Sequence, residues 1–156
     1  MSWAKEYLRQ VRRMDIQIDN MQATLGALRI KAESIGSFDY EKPRVKSSSS
    51  GDELLMKVAA VADYEKKIDR AVDRYIDFRQ KVTEQINSLE DERYIVLLSR
   101  MYLEYGKYRA KLEKVAESMN YSYDHMRRLH GEALMAFEEK YKPDDEDATK
   151  CHNRMC

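Results

Sequence analysis

Five side chains in one short stretch carry the most specific chemistry in this sequence: Ser122, Tyr123, Asp124, Arg127 and Arg128. On a helix that starts at Ser122, residues three and four apart share a face, so Tyr123, Asp124, Arg127 and Arg128 project outward together. A guanidinium presents paired donors that match the O6 and N7 acceptors of guanine in a major groove, and a serine at a helix N-terminus suits a phosphate oxygen. Lys107, Arg109, Lys111 and Lys114 lead into the stretch and are placed to anchor a nucleic-acid backbone. Exposed arginines on a helix are more often a solvated face, so the argument for groove contact rests on the pattern around them.

That pattern is the spacing of a helix-turn-helix between Leu112 and Leu129. Val115 and Ala116 fall on the inner face of the first helix, and Ala116 is small where a second helix must cross closely. Met119 closes that helix. Asn120 stands at the turn, where a left-handed backbone is needed and asparagine is the usual substitute for glycine. Tyr121 is expected to pack inward and Ser122 to cap the second helix. Met126 and Leu129, followed by Ala133, Leu134 and Phe137, recur on its buried face.

Other residue types that do chemistry are present without the company they need. Cys151, His152 and Cys156 are three zinc-type ligands in a short tail, one short of a closed site. His125 and His130 have no second ligand at a diagnostic spacing, and His130 is expected as a packing or polar contact on a helix face. The acidic residues follow solvated helix positions and form no acid and base pair. Gly51 and Gly131 are isolated, so no glycine-rich phosphate loop exists. Tyr94, Tyr102, Tyr105 and Tyr108 recur at helical spacing and read as core and rim. No catalytic residue, metal or cofactor is expected, and an enzyme is the least supported class.

The elements that must hold the motif are helical. From Tyr7, apolar residues alternate by four and three through Val11, Met14, Ile18, Met21, Leu25, Leu28, Ala32 and Ile35, the seam of a long coiled-coil-like helix ending near Ser34. Residues 36–52, GSFDYEKPRVKSSSSGD, read as a mobile linker, with Asp52 as the cap of the next helix. A second seam runs through Leu54, Val58, Val61, Glu65, Ile68, Val72, Tyr75, Arg79, Val82, Ile86 and Leu89. Its polar members Glu65 and Arg79 either lie at a wet edge or set register and partner choice. Each helix would span very roughly 50 Å, and similar lengths suggest an antiparallel hairpin, with dimerisation through leftover apolar surface. Ser88 or Asn87 is expected to cap a third helix with Leu89, Ile95, Leu98 and Tyr102 on its buried face, ended by Gly106. Two more helices follow, broken at Asn120, and the tail from residue 142 is expected to be disordered.

Composition agrees with an all-α chain. The 156 residues include 5 Gly and 2 Pro, with 36% charged, which leaves few helix breakers and argues against an all-β fold. Lys+Arg 28 against Asp+Glu 28 gives a net charge of zero, so no bulk positive charge draws the chain to nucleic acid. Residues 88–141 hold nine Lys/Arg and ten Asp/Glu, so that segment alone should bind DNA weakly and would gain from dimerisation or a protein partner. Mean hydropathy is -0.76, and no apolar run reaches the roughly 20 residues of a membrane span. No signal-peptide core opens the chain, and both cysteines lie in the last six residues, which points to a reducing cytoplasm.

The run LEDERYIVLLSRMYLEY followed by LEKVAESMNYSYDHMRRLHGEAL resembles region 4 of the sigma-70 family of RNA polymerase sigma factors. With AKEYLRQVRRMDIQIDNM at the start and the RVKSSSS linker, the chain to about Tyr141 is similar to the RinA/ArpU-like late-gene activators of Gram-positive phages and prophages. The resemblance implies a phage transcription regulator that binds promoter DNA in the bacterial host cell, with host RNA polymerase as a partner. On this reading residues 1–87 form the hairpin, with the linker at 36–52, and serve oligomerisation, a homodimer included, or partner binding. Residues 88–141 form the DNA-binding region and 142–156 the tail. The alternatives are a phage packaging component of the small-terminase kind, or a helical interaction protein that binds no DNA.

Overall fold

The computed structural model describes residues 2–34, 49–104 and 111–143. Every regular element among them is an α-helix: α1 (Trp3–Glu33), α2 (Ser49–Asn87), α3 (Glu92–Tyr102), α4 (Leu112–Ser118) and α5 (Tyr123–Tyr141). Residues 35–48, 105–110 and 144–156 lie outside the described residues, and with them the body of the expected linker, the Gly106 stop, Lys107, Arg109, Tyr105, Tyr108 and nearly all of the tail.

Helix boundaries move in three places from those the sequence suggests. Helix α2 begins at Ser49, so Asp52 is an acid of its first turn and not its cap. A first-turn carboxylate is favoured by the positive end of the helix dipole. The cap of α3 is Asp91, not Asn87 or Ser88: Asp91 is extended at φ -91 and ψ 115, and its carboxylate accepts the Arg93 N–H at 2.9 Å. Ser88 is instead spent on α2, its hydroxyl donating to the Gln85 carbonyl at 2.8 Å. Helix α3 stops at Tyr102, where the Leu103 N–H reaches the Ser99 carbonyl at 2.9 Å, so it is shorter than the run to Gly106.

Chain contacts divide the molecule into two compact units. The first joins residues 1–13 to residues from Phe78 onward. Its core is made by Ala4, Leu8 and Val11 of α1, Val82 and Ile86 of α2, Leu89, Leu97 and Leu98 of α3, Val115 and Ala116, and five side chains of α5. Full burial of a Leu, Ile or Phe side chain stabilises by about 1.5–3 kcal/mol, so this cluster dominates the unit. An aromatic group lines one side of it. Trp3 stacks on Tyr7 with centroids 4.9 Å apart, Tyr7 meets Phe78 edge-on at 5.3 Å, and Phe137 lies 6.0 Å from Tyr7 and 5.1 Å from Tyr141. The start of α1 is capped from α5: the Ser2 hydroxyl and the Ala4 N–H both donate to the Glu138 carboxylate. Those contacts satisfy a free helix-end N–H with an anion, the charge that end prefers.

The second unit is residues 14–77, the rest of α1 and the first part of α2. Ile18, Ile68 and Ala71 are buried there, and Arg29 forms an ion pair with Glu65. That pair answers for one polar seam position: Glu65 fixes a cross-helix contact. The seam fails at its N-terminal end, where Leu54 and Val58 are 40% and 54% exposed.

Candidate nucleic-acid interface

The five residues of the candidate site are set by a local turn and a local cap. Helix α4 closes at Met119, and Asn120 takes φ 57, the left-handed backbone in which asparagine is the best tolerated residue after glycine. The Tyr121 N–H then reaches back to the Ala116 carbonyl at 3.0 Å, which ties the turn to α4. Ser122 is extended at φ -69 and ψ 154, and its hydroxyl accepts the His125 N–H at 3.3 Å, starting α5.

Packing settles which face of α5 points outward. Met126, Leu129, Ala133, Leu134 and Phe137 are buried, against Val115 and Ala116 of α4 and Leu97 and Leu98 of α3 in the same core. Ala116 is 2% exposed, and its small side chain lets α4 and α5 come together. Tyr121 is half-buried with its ring 4.7 Å from His125. The opposite side of α5 carries Asp124, Arg127 and Arg128, all exposed, and Tyr123 stands beside them at 46% exposure. Among the described residues none of Asp124, Arg127 and Arg128 enters an ion pair or a side-chain hydrogen bond, so both guanidiniums are free for an external acceptor.

Lys111 and Lys114 are exposed on α4, the first at its N-cap and the second in its first turn. Two residues of this face do not stand out by charge: Gly131 and Met135 continue the spacing from Arg127 and Arg128 along α5, and both are exposed. The signal for them was the i, i+3, i+4 repeat followed on the polar side.

The surrounding polar contacts brace the site from behind. The Arg100 guanidinium donates to the Ser118 hydroxyl at 2.6 Å, joining α3 to the end of α4. Arg79, the other polar seam residue, donates to the Leu103 carbonyl at 3.1 Å and closes the end of α3. Arg93 grips Asp91, which holds the Asp91 carboxyl below its ordinary range and the guanidinium above its own. The Tyr94 hydroxyl donates to Glu132 at 3.4 Å, and loss of water around the phenol, then the nearby carboxylate, raise its pKa. His130, half-buried on α5, lies within 3.1 Å of the Tyr102 hydroxyl, with the two rings stacked. Burial, then the positive charges of Lys5 and Arg9, lower its pKa to about 4, so it is neutral at pH 7 and serves packing.

No group of three or more His, Cys, Asp or Glu able to hold a metal occurs among the described residues, and Cys151, His152 and Cys156 lie outside them. None of the described helices is long and apolar enough to cross a membrane. Comparison with protein-family profiles, curated proteins and solved structures gives no match to this chain.

Proposed function

We propose that this chain is a sequence-specific DNA-binding transcription regulator in which α4 and α5 form a helix-turn-helix and α5 is the recognition helix. One observation carries the reading. Across a left-handed turn at Asn120, α5 packs its apolar side inward and leaves Tyr123, Asp124, Arg127 and Arg128 outward and, among the described residues, unpaired. Such a helix fits the major groove, where a bidentate arginine to guanine is worth about 1–3 kcal/mol of discrimination. Ser122, Lys111 and Lys114 are assigned to phosphates, as are Lys107 and Arg109 from the sequence. The likeness of LEKVAESMNYSYDHMRRLHGEAL to sigma region 4 places the protein, in this proposal, among phage activators of late promoters that work with host RNA polymerase.

The long helices fit the same proposal as a hairpin that dimerises or binds a partner. Tyr7 donates to Gln85 at 3.0 Å and Arg29 pairs with Glu65, so partner numbers fall along α2 as they rise along α1, the order an antiparallel pairing requires. A homodimer would offset the weak charge of one DNA-binding region. Footprinting on DNA flanking the protein's own gene tests the reading: a protected palindromic or promoter-proximal site supports it, and uniform cleavage contradicts it.

A second reading, a packaging component that assembles into a ring, is favoured by the bare apolar side chains of the second unit. Ile30, Leu55 and Met56 are 67%, 69% and 74% exposed. Sedimentation separates the two, since a particle of many subunits supports packaging and a monomer or dimer supports regulation.

A further inference from the structure

Residues 1–13, which pack in the unit that contains α5, hold four basic side chains, Lys5, Arg9, Arg12 and Arg13, and one acid, Glu6. Lys5, Arg9 and Arg12 are spaced by four and three and share one face of α1, while Ala4, Leu8 and Val11 form its buried side. The acid is already answered: Glu6 meets the Arg13 guanidinium at 2.8 Å and that of Arg9 at 3.6 Å. Added to the nine basic and ten acidic residues of 88–141, this segment turns a net charge of minus one into plus two.

Contacts with α5 give the direction in which the stripe runs. The Ala4 N–H donates to Glu138, the Tyr7 ring lies 6.0 Å from Phe137, and Lys5 and Arg9 stand close enough to His130 for their charges to act on its imidazole. As α1 advances, its partners on α5 step back from Glu138 toward His130, one turn from Arg127. Arg12 follows in the next turn of α1, so its cations are carried toward the end of α5 that bears Arg127 and Arg128. Two carboxylates of α5 are already engaged, Glu138 by Ser2 and Ala4 and Glu132 by the Tyr94 hydroxyl.

A polyanion fits such a stripe. A lipid surface is a poor partner, because a helix binds there through its apolar side and Ala4, Leu8 and Val11 are spent on the core. A duplex presents phosphates on both walls of its groove, and most protein–DNA hydrogen bonds go to phosphate and sugar. We infer that Lys5, Arg9 and Arg12 of α1 form a second phosphate-binding surface, which holds the backbone of the same duplex whose groove α5 reads. The inference rests on α5 being the recognition helix. Contacts of this kind add affinity without sequence preference, the component that residues 88–141 lack by charge.

The test titrates full-length protein with salt on two probes: a mixed-sequence duplex, and the tightest duplex recovered from a random pool by the wild-type protein. Lys5→Gln with Arg9→Gln and Arg12→Gln should weaken binding to both by a similar factor, about tenfold or more. The slope of log affinity against log salt should fall by about 2–3, since each phosphate contact contributes about 0.9. Lys5→Gln and Arg12→Gln made singly should each lower it by about 0.9, a readout that survives if the triple variant melts early. Arg9→Lys with Arg12→Lys keeps the charge and should keep the slope. Lys66→Gln with Lys67→Gln and Arg70→Gln removes equal charge from exposed positions of α2 and should leave binding unchanged. A wild-type slope in the α1 variants overturns the stripe and leaves the recognition helix standing. An equal loss from the α2 variant overturns it too, as an effect of bulk charge, and so does a loss confined to the selected duplex, because phosphate contacts read no sequence. Absence of any salt-sensitive duplex binding by the wild-type protein overturns both the inference and the reading beneath it.

Discussion

Asn120 and His130 show how single residues hold this arrangement. The left-handed backbone at Asn120 costs most non-glycine residues about 1–2 kcal/mol, and a β-branched side chain suffers most. Asn120→Val should therefore destabilise the protein by about 1–3 kcal/mol in denaturant unfolding, whereas Asn120→Gly should change stability little. His130 has a folded pKa of about 4, below the ordinary 6.5, so between those values the unfolded chain takes up a proton that the folded chain does not. Stability contributed by neutral His130 is thus full above pH 6.5 and is lost as pH falls toward 4. Melting temperatures measured across that window should fall with acid, and His130→Gln should flatten the fall. Carboxylates held low by their partners, Asp91 by Arg93 and Glu138 by Ser2, add their own loss at lower pH. The spacing of Ala116, Asn120, Ser122, Met126 and Leu129 was legible in the sequence because each residue type answers a local demand. His130's environment was not, since it depends on Tyr102, Lys5 and Arg9 arriving from other helices.

Elements in this protein are recognised more easily than their ends. The heptad seams of α1 and α2 predict long helices, and both occur, yet Ala4 and Leu8, fully buried, are not among the seam residues expected. They pack in the unit that contains α5; Ala4 lies one heptad before Val11, on the period of the seam, and Leu8 lies beside Tyr7, off it. The same holds for Leu97, buried next to the expected Leu98. Caps depart from the sequence pattern where two candidates compete: Ser88 continues α2 through its bond to Gln85, and Asp91 takes the start of α3. Phe137 is the residue through which α5 meets the aromatic group of α1, and it is fully buried. Phe137→Ala should cost about 3–5 kcal/mol, read as a lower denaturation midpoint with an unchanged slope. Loss of DNA binding in that variant should track loss of fold, which separates it from changes on the outer face of α5.

For the whole molecule, charge is the deciding quantity. A net charge of zero, with nine basic and ten acidic residues in 88–141, means that the DNA affinity the proposed function requires cannot come from bulk attraction and must come from a few placed contacts. Arg127 and Arg128, exposed and unpaired among the described residues, are the contacts the account relies on. The most direct measurement is a salt titration of full-length protein on its selected duplex, for wild type and for Arg127→Ala with Arg128→Ala. The account predicts wild-type affinity that falls as salt rises, and a double variant that binds at least about tenfold more weakly with a shallower salt dependence. A double variant that binds as tightly as wild type, or a wild-type protein with no salt-sensitive binding at all, would contradict it.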